Sequence, residues 1–401
     1  MRARSRVMIV VVPEGTRGSR LASSDVLAAP PRDAACMAAT LLRLGAEVRI
    51  MDVGIEQLSA RVAAREARWW HADLVLFHAG GPDVVDDPLP DSRPLTALLK
   101  AQWPEAPLLL TGPLGRRYGA ELLSRLAGLA GVLEGPVGPW MLGDVDLEHA
   151  PGLLTRERDQ RGQAELEAPS DLPAWQLLPL DAYPGWGARK ERMVSVGVAQ
   201  DTEGLLAEVS HAAQRAAARF LVFDARDLGA RHEATIELCR NMFAAAPGVI
   251  WSCRVKAEHM DARLALALAQ GACSEVLITP SSAPEAAAQE PMDDPDREPL
   301  EAALDAARVA GLSGVAMHLV GRPGHRVPIL DGWQRWFAVR CLPVRPHVRV
   351  VHAGERGPDA PDLAQALARA GCWDNELSPS DVERAVKRLS APGAAPLGLA
   401  T

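Results

Sequence analysis

The stretch that decides the fold is residues 193–224, MVSVGVAQDTEGLLAEVSHAAQRAAARFLVFD. Two short apolar runs, at 193–198 and 219–224, enclose a segment at 205–218 whose apolar residues recur with the period of a helix. A strand, a helix and a strand in this order predict a parallel βαβ unit. The loop between the first strand and the helix, residues 199–204, contains no cysteine.

The same alternation continues toward the C-terminus. Strands are predicted at 249–255, 275–279, 314–320 and 348–352, and helices at 232–245, 262–271 and 300–310. Parallel strands joined by helices in this number fit a partial or full (β/α) barrel. An acidic, proline-rich loop at 281–299 interrupts the series, and two tail helices are predicted at 362–370 and 381–389.

The N-terminal part shows a second βα series. Strands are predicted at 7–12, 47–53, 73–78, 107–111 and 131–134, with helices at 32–44, 56–68, 94–103 and 116–126. The continuous apolar run Val7–Val12 is typical of a strand that is buried on both faces. This alternation predicts a doubly wound, Rossmann-like parallel sheet.

The length of 401 residues exceeds one ordinary core and fits two domains with a tail. The alternation fails between 146 and 190, where prolines punctuate the sequence. We therefore predict a Rossmann-like domain over 1–145, a linker over 146–190, a barrel over 191–355 and a helical tail over 356–401.

Charge and cysteine usage narrow the class of protein. The formal net charge is -8 and no long basic run occurs, which disfavours nucleic acid as a partner. No apolar run is long enough to predict a membrane span. The six cysteines are widely spaced, so they indicate no metal knuckle, and buried free thiols in a reducing, cytoplasmic compartment are expected.

Several local features resemble one family. They are the opening βαβ unit that ends at 45–52, the segment between the domains from Leu172-Pro173 to Tyr183, the strand end 223–228, the strand 251–254 and the turn Gly321-Arg322-Pro323-Gly324-His325. Their order resembles the cobalamin-binding radical SAM enzymes over about residues 5–330. The resemblance implies a cobalamin-binding sheet followed by a radical SAM-type barrel.

The resemblance implies that cobalamin lies over the C-terminal strand ends of the first domain. The expected cofactor-binding residues there are Gly80, Gly81, Thr111, Gly112, Pro113, Glu134 and Gly135. Small residues let a flat macrocycle approach the backbone, but tight βα turns require them equally, so both interpretations stay open. His78 either faces the ligand or is a hydrogen-bonded structural residue. The loop after the first strand lacks the histidine that ligates cobalt in many cobalamin domains.

The turn containing Gly321 and Pro323 lies near bound S-adenosylmethionine in the family, so the resemblance implies a possible site for that cofactor. The family also needs three thiolates, spaced CxxxCxxC after the first barrel strand, to hold its [4Fe–4S] cluster. Residues 199–204 supply none of them. We therefore expect no iron–sulfur cluster and no reductive cleavage of S-adenosylmethionine.

Three charged residues at barrel strand ends are candidate catalytic groups: Asp224, Asp227 and Arg254. Barrel enzymes place catalytic side chains at this end of the strands. The alternative is that the carboxylates are helix N-terminal acids paired with Arg226 or Arg231.

Two classes of function follow. The first is a catalytically degenerate radical SAM-like pseudoenzyme that binds cobalamin, another tetrapyrrole or a partner enzyme such as an intact radical SAM relative. The second is a non-radical methyltransferase that uses cobalamin or S-adenosylmethionine.

Overall fold

The computed structural model describes residues 5–13, 29–79, 93–142, 147, 150–159, 171–185, 190–197, 201–225, 227–280, 297–320, 335–336 and 345–350. The described residues through Gly185 form one compact unit, and those from Lys190 onward form a second. No helix among the described residues is both long and apolar enough to cross a membrane.

The first unit is a mixed α/β layer structure. Its elements are β1 (Arg6–Val11), α1 (Arg32–Arg43), β2 (Glu47–Asp52), α2 (Ala60–Trp69), β3 (Leu74–His78), α3 (Arg93–Leu99), β4 (Leu108–Thr111), α4 (Pro113–Arg125), β5 (Gly131–Leu133) and β6 (Leu153–Leu154). The sheet order is β2-β1-β3-β4-β5-β6. The first five strands are parallel, which confirms the predicted doubly wound sheet. The antiparallel β6 was not predicted, because two residues are too few to show a pattern.

Both faces of this sheet are buried. Val7 and Ile9 of β1 pack against the α1 side, and Met8 and Val10 pack against the side covered by α2, α3 and α4. Side chains alternate between faces along a strand, so a strand buried on both sides must be apolar throughout. This explains the unbroken apolar run from which β1 was predicted.

The described part of the segment predicted as a linker, 146–190, adds to the first unit. It contains β6, and the Ala174 amide donates to the Ala35 carbonyl at 3.0 Å. Asp171 accepts hydrogen bonds from Arg43 Nε at 2.8 Å and from Thr40 Oγ1 at 2.7 Å. These contacts fasten the segment to α1.

The second unit is one parallel sheet, with a helix between each two successive strands from β7 to β11. Its elements are β7 (Met193–Gly197), α5 (Thr202–Arg215), β8 (Phe220–Asp224), α6 (His232–Ala245), β9 (Ile250–Lys256), α7 (Ala262–Gln270), β10 (Cys273–Thr279), α8 (Arg297–Val309), β11 (Ser313–Val320) and β12 (Arg345–Val350). The strands lie in chain order, β7 to β12. Among the described residues β7 and β12 do not pair, so the sheet is open and matches the partial form of the predicted barrel. The predicted loop 281–299 lies mostly outside the described residues, and the two tail helices lie wholly outside them.

Candidate functional site

The carboxyl edge of the first sheet contains a topological switch point. β1 lies between β2 and β3, so the connection that follows β1 leads to one side of the sheet and the connection that follows β3 leads to the other. Ligands of open α/β sheets bind outside the strand ends at such a point. His78, the last residue of β3, lies there, paired with Val11 at the end of β1.

His78 is a buried histidine with an unsatisfied ring nitrogen. Its residue is 5% exposed, and among the described residues nothing hydrogen-bonds its Nδ1. Burial lowers the pKa of His78, with Asp33 opposing the change and Arg116 adding to it, so the ring is neutral near pH 7. An orphaned buried nitrogen costs stability unless a ligand or another group satisfies it. Whether His78 is a structural residue or faces a ligand stays a prediction.

Gly112 allows the close approach of β3 and β4 at this edge. Its φ is +92°, and a Cβ built on it would lie 2.8 Å from the Ala79 carbonyl oxygen and 2.9 Å from His78 Nδ1. Only glycine adopts this backbone conformation readily, and only glycine leaves room for the histidine. Pro113 then begins α4, where its fixed φ suits the first turn.

The other predicted cofactor-binding residues divide into three groups. Thr111 is buried, with its Oγ1 3.8 Å from Met37 Sδ. The amides of Glu134 and Gly135 both donate to the Gly152 carbonyl, at 2.9 and 3.3 Å, so they fasten β5 to the approach of β6. Gly80 and Gly81 lie outside the described residues.

A surface cleft of the first unit lies at the opposite edge. It is lined by Leu99, Trp103, Pro107 and Arg156, at the amino ends of β4 and β5. The Arg156 guanidinium donates to the carbonyls of Leu129 at 2.7 Å and Leu126 at 2.8 Å, so it caps the end of α4. We assign this cleft a structural role.

In the second unit one row of residues across the sheet is mostly polar. A row in register across five strands consists of Ser195, Val222, Ser252, Glu275 and Ser313. Asp224 and Arg254 lie two residues further along their strands, on the same face by strand alternation. The opposite face carries apolar side chains such as Val194, Leu221 and Trp251, which are buried. The alternation of polar and apolar residues along β9 indicates this arrangement from the sequence.

The structure places the three predicted catalytic residues at the carboxyl edge of this sheet. Asp224 is the exposed last residue of β8, and Arg254 is a half-buried residue of β9. Both have interaction partners. Asp227 lies in the turn after β8, with its side chain only 9% exposed.

Asp227 has partners that the sequence did not predict. Its Oδ2 lies 2.6 Å from His259 Nδ1, and its Oδ1 accepts from the Lys256 amide at 3.1 Å. Arg231 precedes α6 in the cap position, and Asp227 makes no side-chain cap. Asp227 does precede the short 3₁₀ helix Leu228–Arg231, so the predicted helix-terminal role stays a prediction, and Arg226 lies outside the described residues. His259 was missed because it lies in the turn after a neighbouring strand, where only the fold brings it to Asp227.

The connection after the first strand of this sheet is short. α5 begins at Thr202, earlier than predicted, because Asp201 Oδ1 accepts from the Gly204 amide at 2.7 Å and caps the helix. Only residues 198–201 separate β7 from α5, and none is a cysteine. The fully buried Glu208 of α5 accepts from the Gly197 amide at 3.2 Å and ties the helix to the strand end.

Three buried cysteines meet between the sheet and its helices. Burial raises the pKa of Cys239 to about 12 and raises that of Cys273, with Cys253 adding to both. Cys36, Cys239, Cys253 and Cys273 are free thiols. No group of three or more His, Cys, Asp or Glu residues in the described part of the chain is arranged to hold a metal ion. Gly321, Pro323, Cys341 and Cys372 lie outside that part.

Comparisons with known proteins bear on the fold. No family model and no curated protein sequence matches the chain. Among solved structures, the radical S-adenosylmethionine methyltransferase TsrM from Kitasatospora setae, with cobalamin and a [4Fe–4S] cluster bound, superposes with a TM-score of 0.59 at 14% identity, covering 87% of this chain and 72% of that chain.

A second neighbour is the cobalamin-dependent S-adenosylmethionine radical enzyme OxsB, with aqua-cobalamin and S-adenosylmethionine bound. It superposes with a TM-score of 0.59 at 8% identity, covering 96% of this chain and 56% of that chain, so this chain spans little more than half of OxsB. The chain shares the fold of cobalamin-dependent radical SAM enzymes.

Proposed function

We propose that this chain is a radical SAM-like binding protein that holds a corrinoid or another tetrapyrrole at the carboxyl edge of its first sheet and carries out no cluster-dependent chemistry. The observation that carries the proposal is that the β7–α5 connection consists only of residues 198–201 and contains no cysteine.

Three thiolates are needed to hold three irons of a [4Fe–4S] cluster and leave the fourth iron open. The connection contains no thiol, and Glu208 of α5 accepts from the Gly197 amide at the end of β7. The buried thiols of Cys239 and Cys273 have raised pKa values, which disfavours the thiolate that iron requires. The residues therefore do not fit this cluster.

The first sheet fits a flat macrocycle better. The neutral imidazole of His78 has an Nδ1 that no described residue satisfies, and it lies at the switch point. Gly112 keeps the strand ends free of a Cβ. A corrinoid would supply a cobalt centre, and the protein would supply the tight backbone surface and a neutral nitrogen. TsrM and OxsB, which share the fold, are cobalamin proteins.

The visible absorption spectrum tests this proposal. Protein incubated with hydroxocobalamin and desalted is expected to keep a corrin band. His78→Gln is expected to weaken retention, whereas His71→Gln, which changes an exposed histidine of the same unit, should not. A wild-type protein that emerges without corrin overturns the proposal. Retention that is equal in both variants contradicts the role of His78.

A non-radical methyltransferase is the second candidate. The mostly polar row across the second sheet favours this function, since Asp224 and Arg254 lie next to it toward the carboxyl edge. Transfer of a labelled methyl group from S-adenosylmethionine or methylcobalamin that is lost in Asp224→Asn would support this function. Absence of transfer from both donors would reject it.

A further inference from the structure

We propose that Asp227 and His259 form a proton-accepting dyad for a small molecule that carries a weakly acidic O–H or N–H group. The two residues follow neighbouring parallel strands, β8 and β9, and meet at the carboxyl edge of the second sheet. The proposal concerns the second unit alone and needs no bound corrinoid.

The hydrogen bond fixes which ring nitrogen is basic. Asp227 Oδ2 lies 2.6 Å from His259 Nδ1, and a carboxylate can only accept, so Nδ1 carries the proton in the neutral ring. The lone pair is therefore on Nε2. Glu258 Oε1 lies 3.9 Å from Nε2, beyond hydrogen-bond distance.

The carboxylate itself is held from several sides. Asp227 Oδ1 accepts from the Lys256 amide at 3.1 Å, and the side chain is only 9% exposed. Gly229 packs against both residues, because a Cβ there would lie 2.8 Å from His259 Cβ and 3.2 Å from Asp227 Oδ1. The Thr235 hydroxyl fixes the turn by donating to the Leu228 carbonyl at 2.7 Å. The orienting group is thus rigid, while the histidine side chain is 38% exposed and accessible.

The proton transfer balances without another reagent. The X–H bond of the ligand breaks, its electron pair stays on X, and the proton forms a bond with Nε2. The resulting imidazolium is stabilised by the ionised Asp227, and the proton then passes to solvent. Asp227 acts through His259, so it is a positioning residue.

His232 provides an internal control. It is also a half-buried histidine next to carboxylates, with 28% side-chain exposure, but both of its nitrogens are engaged: Nε2 lies 3.1 Å from Asp261 Oδ1 and Nδ1 lies 3.5 Å from Glu233 Oε1. In His259, by contrast, the hydrogen-bonded carboxylate is on Nδ1, and the Glu258 oxygen facing Nε2 is 3.9 Å away, beyond hydrogen-bond distance.

The test is carbethoxylation by diethyl pyrocarbonate on the intact protein, mapped by mass spectrometry. His259 is expected to react several-fold faster than His232. Asp227→Asn should slow His259 several-fold without changing His232, because the charge that develops on the ring loses its counterion. Glu258→Gln should leave both rates unchanged.

Three results overturn the proposal: His259 reacting no faster than His232, Asp227→Asn leaving the rate of His259 unchanged, or Glu258→Gln slowing it equally. Nitrogen-15 NMR of the wild-type protein gives a reading that does not depend on any variant folding. The proposal expects a protonated Nδ1 and an unprotonated Nε2 in the neutral ring of His259, and the opposite tautomer contradicts it.

Discussion

The carboxyl edges of the two sheets have the same parallel topology but different chemistry. At the first edge the backbone is packed tightly around a buried neutral histidine, and Gly112 leaves no side chain in the way. At the second edge the charged residues are engaged in hydrogen bonds, as in the Asp227–His259 pair. Topology therefore fixes where a site can form, and the residues in the turns decide what it can do.

Two connections at the carboxyl edge of the second sheet also differ in length. In the second unit residues 198–201 separate β7 from α5, whereas residues 225–231 separate β8 from α6. Four residues can supply a helix cap but few further side chains. The longer turn has room for the 3₁₀ segment that packs against His259.

Gly112→Ala is expected to have the largest effect on stability. The new Cβ would clash with the Ala79 carbonyl and His78 and would strain a φ of +92°, at a cost of about 3 kcal/mol in the free energy of unfolding. Gly45→Ala is the control, because its φ is +95° with nothing within 4 Å of the Cβ, and it should cost about 1 kcal/mol. Urea denaturation measures both. Equal losses would show that Gly112 serves the backbone conformation alone.

Glu208→Ala is expected to cost about 2 kcal/mol, because it removes a buried acceptor and leaves the Gly197 amide without its side-chain partner. Glu237→Ala, an exposed position on α6, should cost much less. Chemical denaturation of the two variants gives the comparison. If Glu208→Ala left stability unchanged, the contact between α5 and the end of β7 would not depend on this carboxylate.

Asp52 is expected to make stability depend on pH. The Tyr183 hydroxyl donates to its Oδ2 at 2.5 Å, yet burial dominates and raises the pKa of Asp52 above 3.8. The folded state then keeps a proton that the unfolded state loses, so stability from this group is present below about pH 4 and is lost as the pH rises through the folded pKa.

The free energy of unfolding of wild type minus that of Asp52→Asn should therefore decrease from about pH 4 toward neutrality. Tyr183→Phe should cost about 1–2 kcal/mol and extend that decrease to higher pH, because the donor that lowers the pKa is gone. A difference that grows with pH would contradict the assignment.

The smallest expected effect is in thiol reactivity. Cys239 and Cys273 are buried with raised pKa values, so iodoacetamide at about pH 8 should leave them unmodified in the native protein and modify them after denaturation. Peptide mapping reads each site separately. Rapid native alkylation of Cys239 would show that thiolates are available in the second unit.

Much of the fold could be predicted from the sequence, because the spacing of the apolar residues matches the buried positions in most helices and strands. The bounds of α6 match the predicted 232–245, and the apolar run Val7–Val12 corresponds to β1. Helix starts were less accurate: α5 begins at Thr202 because of the Asp201 cap, and α4 begins at Pro113 directly after Gly112.

The site was less predictable, because it depends on contacts between residues distant in sequence. Asp227 was a candidate from its place after a strand, but its partner His259 comes from the next strand end. The buried pair of Asp52 and Tyr183, 131 positions apart, likewise leaves no local pattern. Glu208 reads as an ordinary helix residue, and only the structure shows that it is fully buried.

We expect the second unit to bind no [4Fe–4S] cluster of the kind bound in TsrM, because residues 198–201 supply no thiol. Anaerobic reconstitution with iron and sulfide, followed by desalting and quantification of both elements, tests it most directly. We expect neither bound iron nor bound sulfide in stoichiometric amount. Iron and sulfide in the ratio of one [4Fe–4S] cluster per chain would contradict it.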